Sequence, residues 1–421
     1  MDSINIIDDN NGGSNSDVWN VKIGKVTERL LSRQEKIDDI GKDVIKREAI
    51  SLLSHCTEPV EKNNSDTGIA IGYVQSGKTL SFTTVLALAA DNGYRVAVIL
   101  TGTKNNLLSQ TTSRLISDLE IHGANSKVLK LPVSTDKSQL HRWLRIPIKP
   151  LIIIPVLKHF KHIAELAAIF KSSEITNVLG KNAAIIIDDE ADHASVNTNK
   201  EHLDPTTINR KITELLGIFP KNAYVGYTAT PFANVFINPG ETDIFPEDFI
   251  FTLDTPSNYF GPEKVFGLNE RSDIVKPIPF DEYEKDEDDY CPYIPLKHKK
   301  DHDLDDLPPS LEDAIIVFML SCATRNLKGQ INQHKTMMIN VSVYKNVQHS
   351  VRLLAHQLVI EIKEAVSANF ALRDALDDYI IRRFHKLWKQ EFPDIRWEDI
   401  LKELSISDLK IKDFYRLKIG E

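Results

Sequence analysis

The chain has 421 residues, a length that predicts two or three domains rather than a single core. Apolar residues make up 42% of the chain and charged residues 26%, which is typical of globular proteins and excludes a wholly disordered chain. No apolar run approaches the roughly 18 residues that span a bilayer, and the N-terminus has no secretory pattern. The sequence therefore predicts a cytoplasmic protein without a membrane partner.

The net charge of −9 combines two regions of opposite sign. Residues 104–181 contain 12 Lys and Arg against 5 Asp and Glu, whereas residues 281–306 contain 4 basic against 11 acidic residues. A basic middle beside an acidic insertion is consistent with one surface that faces nucleic acid. Solvated surface charge explains such runs equally well, so charge alone leaves both interpretations open.

The N-terminal part of the chain divides into two segments. Residues 1–16 are polar and rich in Gly, Asn and Ser, a composition that predicts a disordered tail. Residues 17–62 carry apolar positions near helical spacing with few helix breakers, which predicts a helical lead-in.

Short apolar runs alternate with amphipathic segments over residues 63–238. The runs lie at residues 68–73, 95–101, 127–133, 150–156, 183–188 and 223–230. Because nearly every residue in these runs is apolar, we expect strands that are buried on both faces. The pattern predicts an α/β domain whose parallel sheet carries helices on both faces.

The C-terminal half changes character twice. Residues 239–309 are Pro-rich and acidic, which predicts an irregular insertion or linker. Residues 310–421 are mostly helical in pattern, with one predicted strand at residues 336–344. We interpret this part as the start of a second α/β unit that is incomplete, because no further strands are predicted.

Residues 72–79 fit the P-loop pattern G-x-x-x-x-G-K-T. Backbone amides of such a loop cradle phosphates at the N-terminus of the next helix. The motif predicts an ATP site in which Lys78 neutralises phosphate charge and Thr79 ligates Mg²⁺. A chance glycine turn is the alternative, and the flanking strand and helix argue against it. The predicted nucleotide-binding residues are Gly72, Gln75, Ser76, Gly77, Lys78 and Thr79.

The run at residues 183–188 continues into a set of carboxylates. Ligands of α/β sheets bind at the carboxyl ends of the strands, so these carboxylates are placed for catalysis. We expect Asp189 to hold Mg²⁺ and Glu190 to orient or deprotonate the attacking water, with Lys78 as the third catalytic residue. The alternative is a solvated acidic turn after a core strand.

A Thr-Ala-Thr sequence ends the last run of this domain. We expect the hydroxyls of Thr228 and Thr230 to bond the Asp-Glu pair and, with Asp192, to couple γ-phosphate loss to movement. Alone this sequence is a weak signal. Its position after the other two motifs makes it informative.

Polar residues also follow two other apolar runs. We expect Thr101, Thr103, Lys104 and Asn105 to contact nucleic-acid phosphates at a strand-to-helix junction, with Lys158 as a weaker candidate. A simple helix cap at Asn105 explains part of this pattern as well.

The P-loop, Asp-Glu and Thr-Ala-Thr motifs, in this order, resemble the first RecA-like motor domain of superfamily two helicases. The sequence more specifically resembles the Z-one (Z1) domain family of bacterial proteins over residues 68 to about 345. The matching stretches include "GYVQSGKT", "IIIDDEADHASVNT", "YVGYTATPFANVFINP" and "DIFPEDFIFTLDTPSNYFG".

This resemblance implies a helicase-like ATPase that uses ATP and Mg²⁺, acts on DNA, and works in restriction or phage defence beside nuclease, methyltransferase or MutL-like partners. It also implies an arginine finger in a later "GRWFGYR"-like segment. The chain ends at Glu421 without one, so we expect ATP binding with slow hydrolysis.

Three functions remain open from the sequence. The first is a DNA translocase subunit, and the second is an ATP-gated module that binds DNA or a partner with little turnover. The third is a nuclease, because Pro393-Asp394 and residues 408–410 formally resemble a metal-dependent nuclease motif. The helical pattern around these residues makes the nuclease the weakest of the three.

Overall fold

The protein is described here by a computed structural model. It covers residues 5–7, 18–60, 63–74, 76–121, 129–130, 137–179, 182–193, 195, 207–235, 244, 246–267, 274–284, 291, 293–369 and 378–406. The chain forms two compact units, Met1–Arg271 and Ser272–Glu421. The first unit contains a parallel sheet, whereas the described residues of the second unit contain helices joined by irregular segments and no strand.

A parallel sheet forms the centre of the first unit. Its strands are β1 (Asn5–Ile7), β2 (Ser65–Ile71), β3 (Val96–Thr101), β4 (Leu129–Lys130), β5 (Leu151–Leu157), β6 (Ala184–Asp189), β7 (Asn222–Thr228) and β8 (Phe249–Thr252). Their spatial order is β1-β8-β2-β7-β6-β3-β5-β4, and each neighbouring pair is parallel. The carboxyl ends of β2, β7 and β6 therefore lie side by side.

Helices connect the strands of the first unit. They are α1 (Lys25–Ser32), α2 (Asp39–Ser54), α3 (Lys78–Asp91), α4 (Asn105–Asp118), α5 (Lys137–Leu144), α6 (Phe160–Lys171), α7 (Ser173–Leu179), α8 (Thr207–Leu216), α9 (Phe232–Val235) and α10 (Pro262–Phe266). The predicted α/β class, a RecA-like sheet between helices, is confirmed. The strand predicted at residues 127–133 is described only at β4.

Alternate residues of the central strands point into two different apolar clusters. In β3, Ala97 and Ile99 join a cluster with α1, α2, α3 and α4, whereas Val96 and Val98 join a second cluster with α5, α6, α7 and α8. This alternation follows from the two-residue period of a strand. Each fully buried aliphatic side chain contributes about 1.5–3 kcal/mol, so burial on both faces stabilises the central strands strongly.

Two strands were not anticipated from the sequence. β1 lies inside the predicted disordered tail, and β8 lies inside the segment predicted to be irregular. β8 pairs with β2, and the backbone amide of Leu253 donates to Ile71 O at 2.8 Å. The acidic and Pro-rich flanks of β8 concealed its alternating buried residues, Phe249 and Phe251. The segment after β8 thereby reaches the P-loop strand.

The second unit contains four α-helices in its described residues. They are α11 (Pro309–Leu327), α12 (Lys345–Asn369), α13 (Tyr379–Glu391) and α14 (Trp397–Ile406). The strand predicted at residues 336–344 is wrong, because this segment forms no ladder in the described part of the chain. Its burial still alternates: Met337, Ile339 and Val341 pack against the core, while Met338 and Val343 are exposed.

Candidate nucleotide-hydrolysis site

The P-loop connects the end of β2 to the first turn of α3. The backbone amide of Gly72 donates to Thr228 O at 3.0 Å, which ties the start of the loop to the end of β7. Gly77 precedes α3 with φ of +100°, a conformation that L side chains rarely adopt. The loop therefore needs glycine at position 77 to present the helix N-terminus to a phosphate.

Lys78 is the first residue of α3, and its side chain folds back over the loop. Its Nζ donates to Gly72 O at 3.2 Å and to Tyr73 O at 2.9 Å. Partial burial lowers the pKa of Lys78, while the charges of Asp189 and nearby acidic side chains act in the opposite direction. The ammonium thus lies between the P-loop and the carboxylates. Gln75 lies outside the described residues.

The carboxylates at the end of β6 have separate environments. Burial, followed by repulsion from Glu190, raises the pKa of Asp189 from 3.8 to about 6. Glu190 is exposed and has φ of +56°, in the left-handed region. Its side chain lies close to β3, because a Cβ added to Gly102 would be 3.3 Å from Glu190 Oε2. Asp189 is partly buried near Lys78, whereas Glu190 faces solvent.

The threonines that follow β7 bond a single carboxylate. Thr228 Oγ1 donates to Asp192 Oδ1 and Thr230 Oγ1 donates to Asp192 Oδ2, each at 2.6 Å. The partner is Asp192, and not the Asp-Glu pair at residues 189 and 190 that the sequence suggested. Burial alone would raise the pKa of Asp192, but these two hydrogen bonds, a backbone hydrogen bond and the charge of Lys158 together lower the pKa. The contact joins the β6 turn to the end of β7.

Lys158 does not occupy the place predicted for it. Its side chain is fully buried, and its Nζ forms an ion pair with Asp188 Oδ1 at 2.7 Å. A buried ammonium with this partner cannot contact a nucleic-acid phosphate, so the prediction for Lys158 is wrong. A lysine after an apolar strand has the same appearance in sequence whether it points outward or inward.

The other predicted nucleic-acid contacts lie at the carboxyl end of β3. Thr101 is buried and its hydroxyl donates to Val156 O at 3.2 Å, which leaves it inside the sheet. Thr103, Lys104 and Asn105 are exposed at the start of α4. The N-cap residue is Lys104 and no side chain caps this helix, so the alternative of a cap at Asn105 is wrong.

The segment after β8 adds residues that sequence reasoning missed. Tyr259 donates from its hydroxyl to Val74 O at 2.8 Å, and its ring lies 5.5 Å from that of Tyr73. A Cβ on Gly72 would lie 2.9 Å from Leu253 Cδ1. No local signal marks these residues, because they reach the P-loop only through the pairing of β8 with β2.

The oxygen-bearing side chains near the P-loop supply only some of the ligands that a Mg²⁺ ion takes. Thr79 and Asp189 supply a hydroxyl and a carboxylate, which are ligands that Mg²⁺ prefers. In the described part of the chain, no group of three or more His, Cys, Asp or Glu residues is arranged to hold a metal ion. This donor set fits an ion that keeps waters and shares the phosphates of a nucleotide.

The residues of the nuclease alternative form no described site. Asp394 lies between α13 and α14, and residues 408–410 lie outside the described part of the chain. No described helix is long and apolar enough to cross a membrane.

Among solved structures, the chain is similar to the DUF1998 helicase MrfA bound to DNA and AMPPNP, at 14% identity and a TM-score of 0.36, covering 55% of this chain and 29% of that chain. It is similar to the Pyrococcus furiosus Hef helicase domain at 15% identity and a TM-score of 0.30, covering 88% of this chain and 68% of that chain. It is also similar to the Sulfolobus solfataricus SWI2/SNF2 ATPase core in complex with dsDNA, at 15% identity and a TM-score of 0.26, covering 80% of this chain and 60% of that chain.

No curated protein matches the sequence. The Z1 domain family model matches residues 310–415, which lie in the second unit. The predicted resemblance to the Z1 domain is therefore confirmed for this region. The match lies beyond all the stretches quoted from the sequence, and it shares only residues 310 to about 345 with the region over which the resemblance was predicted.

Proposed function

We propose that the first unit binds and hydrolyses ATP as a helicase-like ATPase that acts on DNA. The observation that carries this proposal is the convergence of the P-loop, the β6 carboxylates and the Asp192 contacts at one edge of the sheet. These groups come from strands that are adjacent in space but far apart in sequence. Parallel α/β sheets bind ligands at this carboxyl edge.

The P-loop would receive the phosphates of ATP. The amides at the N-terminus of α3 and the ammonium of Lys78 both favour negative charge. Lys78 already bonds two neutral carbonyl oxygens in the loop. Charged phosphate oxygens are stronger acceptors than carbonyls, so we expect the ammonium to transfer to the nucleotide when it binds.

The two carboxylates at the end of β6, Asp189 and Glu190, would have different roles in hydrolysis. Mg²⁺, held by Thr79 and Asp189, would neutralise phosphate charge. Glu190 is exposed on the adjoining turn and would accept a proton from the attacking water or orient it. Its separation from the buried environment of Asp189 supports different roles for the two side chains.

The Asp192 contacts would report the state of the nucleotide. Asp192 bonds Thr228 and Thr230, and Thr228 O accepts from the amide of Gly72 in the P-loop. A shift of the P-loop on γ-phosphate loss would therefore reach the end of β7 through one hydrogen bond and Asp192 through a second. Such a contiguous set of polar contacts is suited to coupling.

The exposed residues at the start of α4 would contact DNA. Thr103, Lys104 and Asn105 provide a positive charge and two hydrogen-bonding side chains. They follow β3, and Gly102 in the same turn lies beside the Glu190 side chain. DNA on this turn would lie close enough to affect the position of Glu190.

Hydrolysis of Mg²⁺-ATP with and without single- and double-stranded DNA tests this proposal. We expect one form of DNA to raise the rate several-fold, because the DNA-facing turn adjoins the hydrolysis site. Nucleotide-dependent DNA affinity without turnover would instead support an ATP-gated binding module. DNA cleavage in the presence of Mg²⁺ would support the nuclease alternative.

We further propose that the chain works in a bacterial restriction or phage-defence system, in the cytoplasm, with nuclease, methyltransferase or MutL-like subunits. The support is the resemblance of the first unit to Z1 proteins and the Z1 match at residues 310–415. Phage plating on cells that carry the complete locus tests this role. We expect protection to disappear with Lys78→Ala, and unchanged protection would contradict it.

A further inference from the structure

Lys158 lies directly beneath the turn that carries the proposed catalytic carboxylates. Its Nζ donates to three carbonyl oxygens of this turn, those of Asp189 at 2.9 Å, Glu190 at 2.8 Å and His193 at 3.1 Å. The same Nζ forms the ion pair with Asp188 at 2.7 Å. An ammonium has three N–H donors, so the three carbonyls use its full hydrogen-bonding capacity and Asp188 supplies the counter-charge without a hydrogen bond.

The ion pair is buried on both sides. Side chains of Lys158 and Asp188 are both 0% exposed. The second carboxylate oxygen of Asp188 accepts from the Tyr224 hydroxyl at 2.6 Å. Burying two charges is costly, and an apolar pair of similar volume is often at least as stable. The arrangement therefore suggests a role beyond the stability of the fold.

The turn above Lys158 has a backbone that needs support. Glu190 has φ of +56°, which costs a non-glycine residue free energy unless the surroundings hold it there. Its carbonyl oxygen accepts from both Lys158 Nζ and the His193 amide. Without the ammonium, the Glu190 carbonyl would lose one of its two partners.

Contacts from β7 and α9 hold the backbone of this turn at Ala191, and Thr228 and Thr230 bond the side chain of Asp192. The Ala191 amide donates to Tyr227 O at 3.0 Å, and Asn234 Nδ2 donates to Ala191 O at 3.1 Å. Lys158 reaches the carbonyls on both sides of Ala191. It is therefore the side chain that joins the end of β6 to the whole turn.

We propose that Lys158 is a positioning residue for ATP hydrolysis, holding the backbone of residues 189–193 so that Glu190 points at the attacking water. The inference rests on the proposed ATPase function. None of the contacts described above joins Lys158 to the P-loop. We therefore assign its role to the chemical step and not to ATP binding.

The test compares kcat and ATP affinity of the full chain with those of Lys158→Met. We expect kcat to fall roughly tenfold or more, because small displacements of a catalytic group slow the chemistry strongly. The affinity for a fluorescent ATP analogue should stay within about threefold of the original value, because the P-loop is unchanged. Lys161→Met, at an exposed lysine in α6, is the matched control.

Two further variants separate positioning from folding. Lys158→Met/Asp188→Asn removes both buried charges, so we expect its melting temperature to recover relative to Lys158→Met while kcat stays low. Asp188→Asn alone leaves the buried Lys158 ammonium without its counter-charge, so we expect its melting temperature to fall below that of the double variant. Recovery of both stability and kcat in the double variant would overturn the proposal, because the lysine would then only balance Asp188.

The original chain separates this inference from the proposed function. If it shows no ATP turnover with any DNA, the ATPase function fails and the role of Lys158 fails with it. If it turns ATP over and Lys158→Met does so at the same rate, only the positioning role is overturned.

Discussion

Two regions of the molecule are both predicted from the sequence to be strands, but they fold differently. In the first unit, β3 is a buried apolar run that pairs with β5 on one side and β6 on the other. In the second unit, residues 336–344 alternate between buried and exposed positions but pair with no strand in the described part of the chain. The sequence thus predicted a strand in both regions, and only β3 forms a ladder.

The difference lies in what a strand requires. An apolar run can bury its side chains against helices by itself, but its backbone amides and carbonyls need a neighbouring strand. β3 has such neighbours because helices return the chain in parallel beside it. Residues 336–344 lie between α11 and α12 without a second apolar run next to them. A strand prediction is therefore a prediction about partners as much as about the segment.

The largest expected difference between the two regions is in amide hydrogen exchange. We expect the amides of β3 to exchange at least about a thousandfold more slowly than those of residues 336–343, because central ladder amides open only with large-scale unfolding. Exchange measured by mass spectrometry on the full chain tests this. Equal protection in both regions would indicate a strand partner for residues 336–344.

The second prediction tests whether ATP hydrolysis depends on the first unit alone. Lys78→Ala should lower ATP turnover by about a hundredfold or more, because it removes the positive charge at the P-loop. Lys345→Ala is the matched control in the second unit, since Lys345 is exposed and also begins a helix. We expect that variant to keep its turnover within about twofold. A comparable loss from both variants would contradict a site confined to the first unit.

The motifs predicted which residues meet at the edge of the sheet better than they predicted the contacts that hold those residues in place. The P-loop, the Asp-Glu pair and the threonines after β7 meet at one edge, as their places after successive strands indicated. Two errors, the outward placement of Lys158 and the partner of Thr228, concern directions that depend on the packing of the turn. Tyr259 was missed because its approach to Val74 requires β8, whose own signal was concealed. Local sequence patterns predict where the strands end. The directions and partners of the side chains at those ends depend on tertiary contacts.

The smallest expected effect concerns the stability of the unliganded protein. The folded state raises the pKa of Asp189 from 3.8 to about 6, mainly by burial. The folded protein therefore holds this proton more tightly than the unfolded chain, and stability falls as pH rises from about 4 to 6. We expect Asp189→Asn to raise the free energy of unfolding by about 2 kcal/mol at pH 8 and to have little effect near pH 4.

Denaturant unfolding at the two pH values measures this gain, and a carboxylate of the second unit provides the contrast. Glu282 is buried, and it accepts from the Ser310 amide at 2.9 Å beside the start of α11. Glu282→Gln weakens a satisfied hydrogen bond, so we expect a loss of about 1 kcal/mol at pH 8 instead of a gain. A loss of stability in Asp189→Asn at pH 8 would contradict the unfavourable burial of the Asp189 charge.

The most direct test of the central claim is single-turnover hydrolysis of Mg²⁺-ATP by Glu190→Gln beside the original chain. Glu120→Gln is the matched control, because Glu120 is also an exposed glutamate with positive φ in the first unit. If the carboxyl edge is a hydrolysis site, Glu190→Gln will bind ATP normally and hydrolyse it at least about a hundredfold more slowly, while Glu120→Gln will match the original chain. Equal hydrolysis by both variants would show that Glu190 does not act on the attacking water and would contradict the account.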